Sequence, residues 1–514
     1  MTTKLLRLQK LLPIFLFIEV LSFAAWHFPV LNQILFGVIF ISALYLSLQK
    51  IEYGLALIFA ELLIGSKGYL FWLTIGNFRL SIRIGLFLAV IIAWKYGVIC
   101  DYFREKKLDT LINALKIPSQ NLFLALLLFC ALGVINGLVM NNGLKAVFFD
   151  MNAWLYFFLL WPLNAFYGRA TLNEKRQFLN ILFAAAVWLM IKTWMLLYIF
   201  SHEFLMVEDI YHWVRDTGVG EITAMKAGFY RIFIQSHIYS LFVLLILFIK
   251  ILNNIKDETF KKLIKSKNYW HLIFLASAFF SVILIGLSRS FWLALIVGML
   301  SIVTLWYALH IKTFSFKIQL ANVFQLMASC IMVLIASLVI ILVIIKFPYP
   351  KNLADFNAGS VLSDRATETN ESAIGSRWSL LPELFKAIIK NPLIGSGFGK
   401  TVVYKSSDPR VLATDKSGTY TTYAFEWGWL DVWLKIGLLG LVTYGWLVIA
   451  QIARIYSSRS LLESTTGITL IALLITLMAV HVFTPYLNHP LGIGFIILVL
   501  VMVRDDRDLP LLLK

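Results

Sequence analysis

VFQLMASCIMVLIASLVIILVII (Val323–Ile345) contains no Asp, Glu, Lys or Arg. As a helix it would reach about 35 Å, enough to cross a hydrocarbon layer of about 30 Å. Within such a layer every backbone N–H and C=O must find a partner inside the protein, so only helices and closed barrels span it. The run lacks the apolar–polar alternation of a barrel strand, which leaves a helix. Comparable blocks recur on both sides of it. Together they predict spans at about 11–29, 32–48, 51–66, 83–100, 121–140, 148–167, 177–200, 232–252, 271–288, 290–309, 323–346, 433–453, 466–485 and 488–504. The composition agrees: of 514 residues 60% are hydrophobic and 14% charged, with a mean hydropathy of +0.82. A soluble chain of this length needs more polar surface. The expected fold is an all-α integral membrane protein of about fourteen transmembrane helices.

Orientation follows from Lys and Arg, which accumulate in short cytoplasmic connections. With the N-terminus inside, those connections hold Arg104, Lys106, Lys107 and Lys116, then Arg169, Lys175 and Arg176, then Lys256, Lys261, Lys262, Lys265 and Lys267. Later ones hold Lys312 and Lys317, Arg454 and Arg459, and Arg504 and Arg507. The opposite connections near 30, 141–147 and 485–488 hold only Lys145. Both termini are expected inside. The charged start (Lys4, Arg7, Lys10) and the apolar run after it mimic a signal peptide, but no small-x-small cleavage site follows and an uncleaved first span is expected.

This divides the chain into spans one to eleven (1–346), a large loop on the non-cytoplasmic side (347–426), and spans twelve to fourteen with a cytoplasmic tail (427–514). Part of the net charge of +17 is ordinary topogenic bias. The rest sits in the loop, at Lys351, Arg365, Arg377, Lys386, Lys390, Lys400, Lys405, Arg410 and Lys416. A basic loop against the outer membrane face suits an anionic partner, either lipid headgroups or a phosphorylated substrate, and not nucleic acid. Cys100, Cys130 and Cys330 support neither a disulfide framework nor a zinc site.

Three stretches could carry chemistry. GLSRSFW (Gly286–Trp292) puts Arg289 at a tight turn between two spans, where it either snorkels to headgroups or meets an anion. GSRW (Gly375–Trp378) leads into an amphipathic helix with Leu381, Leu384, Phe385 and Ile388 on one face and Glu383, Lys386 and Lys390 opposite. Arg377 projects on the apolar side, and Pro382 is read as the first turn or a kink. That helix ends at NPLIGSGFG (Asn391–Gly399), read as a turn in preference to a phosphate cradle. Third, YAFEWGWLDVWLKIGLLG (Tyr423–Gly440) returns to the membrane. Asp431 and Lys435 form an i, i+4 pair there, the tryptophans suit an interfacial belt, and Glu426, without a helical partner, is a candidate general base. Glu19, Glu61 and Lys192 lie inside spans, where they either serve function or form a bundle-interior Glu–Lys pair, the reading favoured here; His237 and His481 read as hydrogen-bonded bundle histidines. There is no HExxH, Walker A sequence or nucleophile elbow, so cytoplasmic nucleotide use is not expected.

The order of these pieces resembles the bacterial O-antigen ligase and Wzy-type polysaccharide polymerase superfamily, membrane glycosyltransferases of the GT-C type. The likeness is best over about 231–440, and FTPYL (Phe483–Leu487) fits it too. The resemblance implies transfer of a glycan from undecaprenyl pyrophosphate to an acceptor hydroxyl at the periplasmic face of the inner membrane, with no nucleotide sugar, metal or cofactor. It implies that Arg289 and Arg377 bind pyrophosphate, a task planar guanidinium forks suit. Arg231, Lys386, Lys390 and Tyr423 become candidates for binding pyrophosphate or glycan. Membrane lipids are expected partners, and a flippase and a chain-length regulator are further ones the family implies.

One departure stands out. The family often has His-Asn eleven residues before the Gly-x-x-Gly of the following span, and here Glu426-Trp427 occupy that place. Either Glu426 is the base in this branch, or the base lies elsewhere, or little base help is needed. The difference leans toward a polymerase. A ligase acting on lipid A core or protein is the alternative. A flippase of lipid-linked glycan is a reading from another class, and a cell-wall polymerase is less favoured.

Overall fold

The structure is a computed structural model that describes residues 2–76, 78–225, 229–257, 260–310, 316–348 and 372–504. Lys312, Lys351, Arg365 and Arg507 lie outside the described residues. The protein is an all-α integral membrane protein: among the described residues eleven helical segments are long and apolar enough to cross a membrane, and each coincides with a predicted span. The remaining three predicted spans correspond to shorter helices, Ile51–Gly65, Thr465–His481 and Pro490–Met502. The Pro490–Met502 helix is buried along its whole length, so it is wrapped by other helices.

The predicted span at 148–167 is not one regular helix. It consists of Leu144–Met151, a 3-10 stretch Asn152–Leu159, and Leu160–Arg169. Pro162 lacks the N–H that an α-helix would direct at Phe158, so the tighter turn sits where that bond is missing. Three two-stranded antiparallel hairpins, unforeseen in the sequence, pair Trp72–Ile75 with Phe78–Ser81, Glu221–Ala224 with Tyr230–Phe233, and Val402–Lys405 with Thr419–Thr422.

Intramembrane charges are paired. Lys192 Nζ donates to Glu19 Oε1 at 2.7 Å and to the Ile64 carbonyl at 2.8 Å, the expected Glu–Lys pair. Glu61 pairs instead with Arg83, at 2.8 and 3.2 Å. His237 lies 2.9 Å from the Thr193 hydroxyl, and His481 accepts the Leu487 N–H at 3.1 Å.

The loop helix runs Ser372–Lys390, so Pro382 stands inside it and does not mark its start. The face it buries is also rotated from the expected one. Leu380, Leu384 and Ile388 pack with Val402, Phe425 and Leu434 in a satellite core under the loop. Phe385, expected on that face, is 40% exposed and joins Trp378 and Ile389 in an outward apolar stripe. The helix has three faces where the sequence suggested two. Loop packing takes one apolar stripe and leaves the other outward.

Candidate active site

The glycine motif turns out to be a structural plug. Gly395, Gly397 and Gly399 all have positive φ (77°, 81° and 75°), which only glycine adopts at low cost. The helix Gly428–Ser457 is broken at Gly437, whose φ is 74°. The break frees carbonyls, and the plug takes them: Ser396 N–H donates to Leu434 O at 2.7 Å and Gly397 N–H to Lys435 O at 3.2 Å. In return Leu438 N–H donates to Pro392 O at 2.9 Å. On the other side Phe398 N–H reaches Gly133 O at 3.0 Å and Gly399 N–H reaches Asp150 Oδ2 at 2.8 Å. These N–H groups are spent on the bundle, so the motif is the turn the sequence favoured and not a phosphate cradle.

The plug fixes the first half of the return helix, and with it a buried charge cluster. Lys435 Nζ lies 2.5 Å from Asp150 Oδ1 and 2.6 Å from Asp431 Oδ1, with all three side chains at most 8% exposed. Asn488 donates to the other oxygen of Asp431. The i, i+4 pair expected from sequence is therefore one side of a larger network that holds the Leu144–Met151 and Gly428–Ser457 helices and the Phe483–His489 stretch together.

Arg377 and Glu426 meet. The guanidinium Nε donates to Glu426 Oε2, and the two side chains are 37% and 52% exposed. Trp427 holds this geometry: its indole N–H donates to the Arg377 carbonyl at 3.0 Å, and its ring packs on Trp378 and Phe483, each at 5.5 Å between centroids. Trp433 anchors the plug through the Pro392 carbonyl at 2.8 Å. At least two of the tryptophans therefore fasten the loop.

Phe483 leads directly to the Arg289 turn. Thr484, its neighbour, lies 3.1 Å by hydroxyl from Ser290, and Tyr486 packs against Phe291. Leu287, fully buried, has a φ of 43°, an uncommon conformation for leucine that turns the chain sharply ahead of Arg289. Arg231 belongs to the same turn, since its Nε donates to the Gly286 carbonyl at 3.0 Å and its guanidinium lies over the Phe233 ring. Arg231, Arg289, Arg377 and Glu426 are thus drawn to one end of the bundle through the short Phe483–Tyr486 stretch.

Tyr423 lines a cavity of about 370 Å³ beside them, with Arg83, Asp150, Asp431, Lys435 and Asn488. Burial pushes its phenol upward and Asp150 adds to the shift, so it stays protonated. Lys386 and Lys390 are not brought to this place. Lys386 follows Arg377 by nine residues, about 180° around the helix and about 13 Å along it; it pairs with Glu383 on the outer face. Lys390 is exposed at the helix end.

The sequence reading missed Arg83, Asp150, Gln235 and Asn488. The first two carried a signal, a charge at the edge of an apolar span. The last two had none. Among the described residues no group of three or more His, Cys, Asp or Glu side chains is placed to hold a metal ion.

Residues 272–445 match the family model described as O-antigen ligase. No curated protein matches the chain. The matched stretch carries Arg289, Arg377, Glu426, the glycine plug and the first part of the broken return helix, and Phe483–Tyr486, outside it, links the Arg289 turn to the rest. Over the matched stretch, about a third of its length, the chain is similar to the O-antigen ligase family.

Proposed function

We propose that the protein polymerises a bacterial surface polysaccharide. It would transfer glycan from an undecaprenyl-pyrophosphate donor to a hydroxyl of a second lipid-linked repeat unit, at the periplasmic face of the inner membrane. The observation that carries this reading is the Arg377–Glu426 pair fastened beside the Arg289 turn. Arg289 and Arg377 hold the donor pyrophosphate, and Glu426 takes the proton from the acceptor hydroxyl. The hydroxyl oxygen attacks the anomeric carbon. The bond from that carbon to the pyrophosphate breaks, and its electron pair leaves on the lipid pyrophosphate. Fixed guanidinium groups aimed at that developing charge are worth about 10²–10³ in rate each, by analogy with other oxyanion donors. With both termini of the chain cytoplasmic, the described part of the loop, residues 372–426, forms a lid over the reacting groups.

A ligase is the second reading, favoured by the description of the matching family. Glu426 in the place of the family's His-Asn supports the polymerase. Separate alanine substitutions of Arg289, Arg377 and Glu426, scored for glycan chain length and lipid-linked precursor, test the site. Short chains with accumulated precursor are expected. Full-length polymer from all three variants, each present in the membrane, would remove the assignment. Long chains on the lipid carrier mark a polymerase, and finished chains that fail only to reach lipid A core mark a ligase. Failed precursor transport with intact chemistry would point to a flippase.

A further inference from the structure

The cavity of about 370 Å³ beside Glu426 falls in the size range of small-ligand sites, about 300–1,000 Å³. It contains polar atoms that the fold does not satisfy. Arg83 is only 5% exposed and is held by Glu61 through Nε and Nη2, while its Nη1 has no partner among the described residues. Gln235 Oε1 and Asn488 Oδ1 are likewise buried without a partner there. All three residues line the cavity. Burying such groups unsatisfied costs about 1–3 kcal/mol each, so a ligand that bonds them gains that back.

The pattern identifies the chemistry. A ligand here must accept from a guanidinium and donate to two amide oxygens, and a sugar hydroxyl does both. Phosphate would need surplus positive charge. Instead, the formal charges of Lys67, Arg83 and Lys435 are balanced by Glu61, Asp150 and Asp431. Tyr69 and Tyr423 contribute ring surface, the usual apolar complement to a sugar face. Tyr423–Phe425 line the wall and run straight into Glu426, and Pro485 follows the Thr484 that touches the Arg289 turn.

We propose that this cavity is the subsite for the terminal saccharide of the acceptor glycan, with Arg83, Gln235 and Asn488 reading its hydroxyls and Tyr423 packing its ring. The proposal rests on the glycosyl-transfer reading. Arg83 itself is a poor test, because removing it strands Glu61. Gln235 is a better one: its backbone carbonyl, not its side chain, holds Tyr486 at 2.6 Å.

The test uses the full-length protein in nanodiscs, with ligand-observed NMR titration of the oligosaccharide released by mild acid from the host's lipid-linked repeat units. Inorganic pyrophosphate is the second probe. Gln235→Leu and Tyr423→Ala are each expected to weaken oligosaccharide binding about tenfold, the loss of one to two hydrogen bonds or a ring contact. Arg377→Ala should leave it unchanged and weaken pyrophosphate instead. In steady state the two cavity variants raise the acceptor KM more than they lower kcat. Oligosaccharide affinity unmoved in both, absent in the wild type, or replaced by pyrophosphate binding that these variants abolish, overturns the subsite. Full transfer by Arg377→Ala and Glu426→Gln would sink the glycosyl-transfer site instead, while the binding data still decide the cavity.

Discussion

Replacing Gly397 by alanine tests whether the plug holds the return helix in place. Its φ of 81° is left-handed, which for alanine costs about 1–2 kcal/mol. The added Cβ would also stand 2.6 Å from Gly137 Cα and 2.7 Å from the Asn136 carbonyl carbon, and closer still to Gly137 N. These are backbone atoms of another helix and cannot rotate away. The plug must therefore back off, at the expense of the Ser396–Leu434, Gly397–Lys435 and Phe398–Gly133 hydrogen bonds. At about 0.5–1.5 kcal/mol each, with the backbone strain added, the total is about 2.5–6.5 kcal/mol. Gly445, on the same return helix, supplies the control: a Cβ there meets nothing within 4 Å, so Gly445→Ala should be neutral or stabilise by up to about 1 kcal/mol. The assay is the thermal midpoint of purified protein in detergent, read beside polymer length in cells lacking the native enzyme. A Gly397→Ala protein that melts with the Gly445→Ala protein and makes full-length polymer would refute the reasoning.

Glu426→Gln keeps the shape of the side chain but cannot take a proton, and transfer should fall about 10²–10⁴-fold with the protein still folded and donor still bound; single-turnover transfer from purified lipid-linked donor measures it. Lys192→Met strands Glu19 in the bundle and should destabilise by about 3–5 kcal/mol, with much of the loss recovered in the Glu19→Leu, Lys192→Met double variant, as detergent melts would show. Leu384→Ala should cost about 2–5 kcal/mol in the satellite core, whereas Phe385→Ala, on the outward stripe, should scarcely change the melt.

The spans were legible because a membrane-crossing helix imposes a length and a composition, and both are local properties. Candidates for the proposed site stood out where a charge was costly in its own setting: Arg289 beside a tight turn, Arg377 on the apolar side of its helix. The bond between Arg377 and Glu426 was not, since it joins residues 49 positions apart across a helix and a hairpin. Periodicity also misjudged the loop helix. It offers two apolar stripes, through Leu380/Leu384/Ile388 and through Trp378/Phe385/Ile389, and only packing chooses which one is covered. Gln235 and Asn488 were beyond reach for a similar reason. A neutral amide carries no cost in sequence, and its meaning appears only when the fold leaves it buried without a partner.

The Arg377–Glu426 contact admits a structural and a chemical account, and their sizes differ enough to separate them. Side chains 37% and 52% exposed form an ion pair worth at most about 1 kcal/mol, less than a tenfold effect on any equilibrium the pair supports. Loss of a base costs about 10²–10⁴ in rate. In the chemical account the donor pyrophosphate competes for the guanidinium and frees the carboxylate beside the incoming hydroxyl, so each residue must keep its own place. The exchanged variant, Arg377→Glu with Glu426→Arg, preserves an ion pair between the same two positions. If the contact only fastens the loop, exchange should restore most of the polymer that either single substitution loses. If Arg377 binds pyrophosphate and Glu426 accepts the proton, exchange restores stability but not transfer, because the cation and the base now stand on the wrong sides of the reacting bond. Chain length and donor turnover measured on the two single variants and the exchanged protein decide the matter, and recovery of turnover to within tenfold of wild type would remove the chemical account.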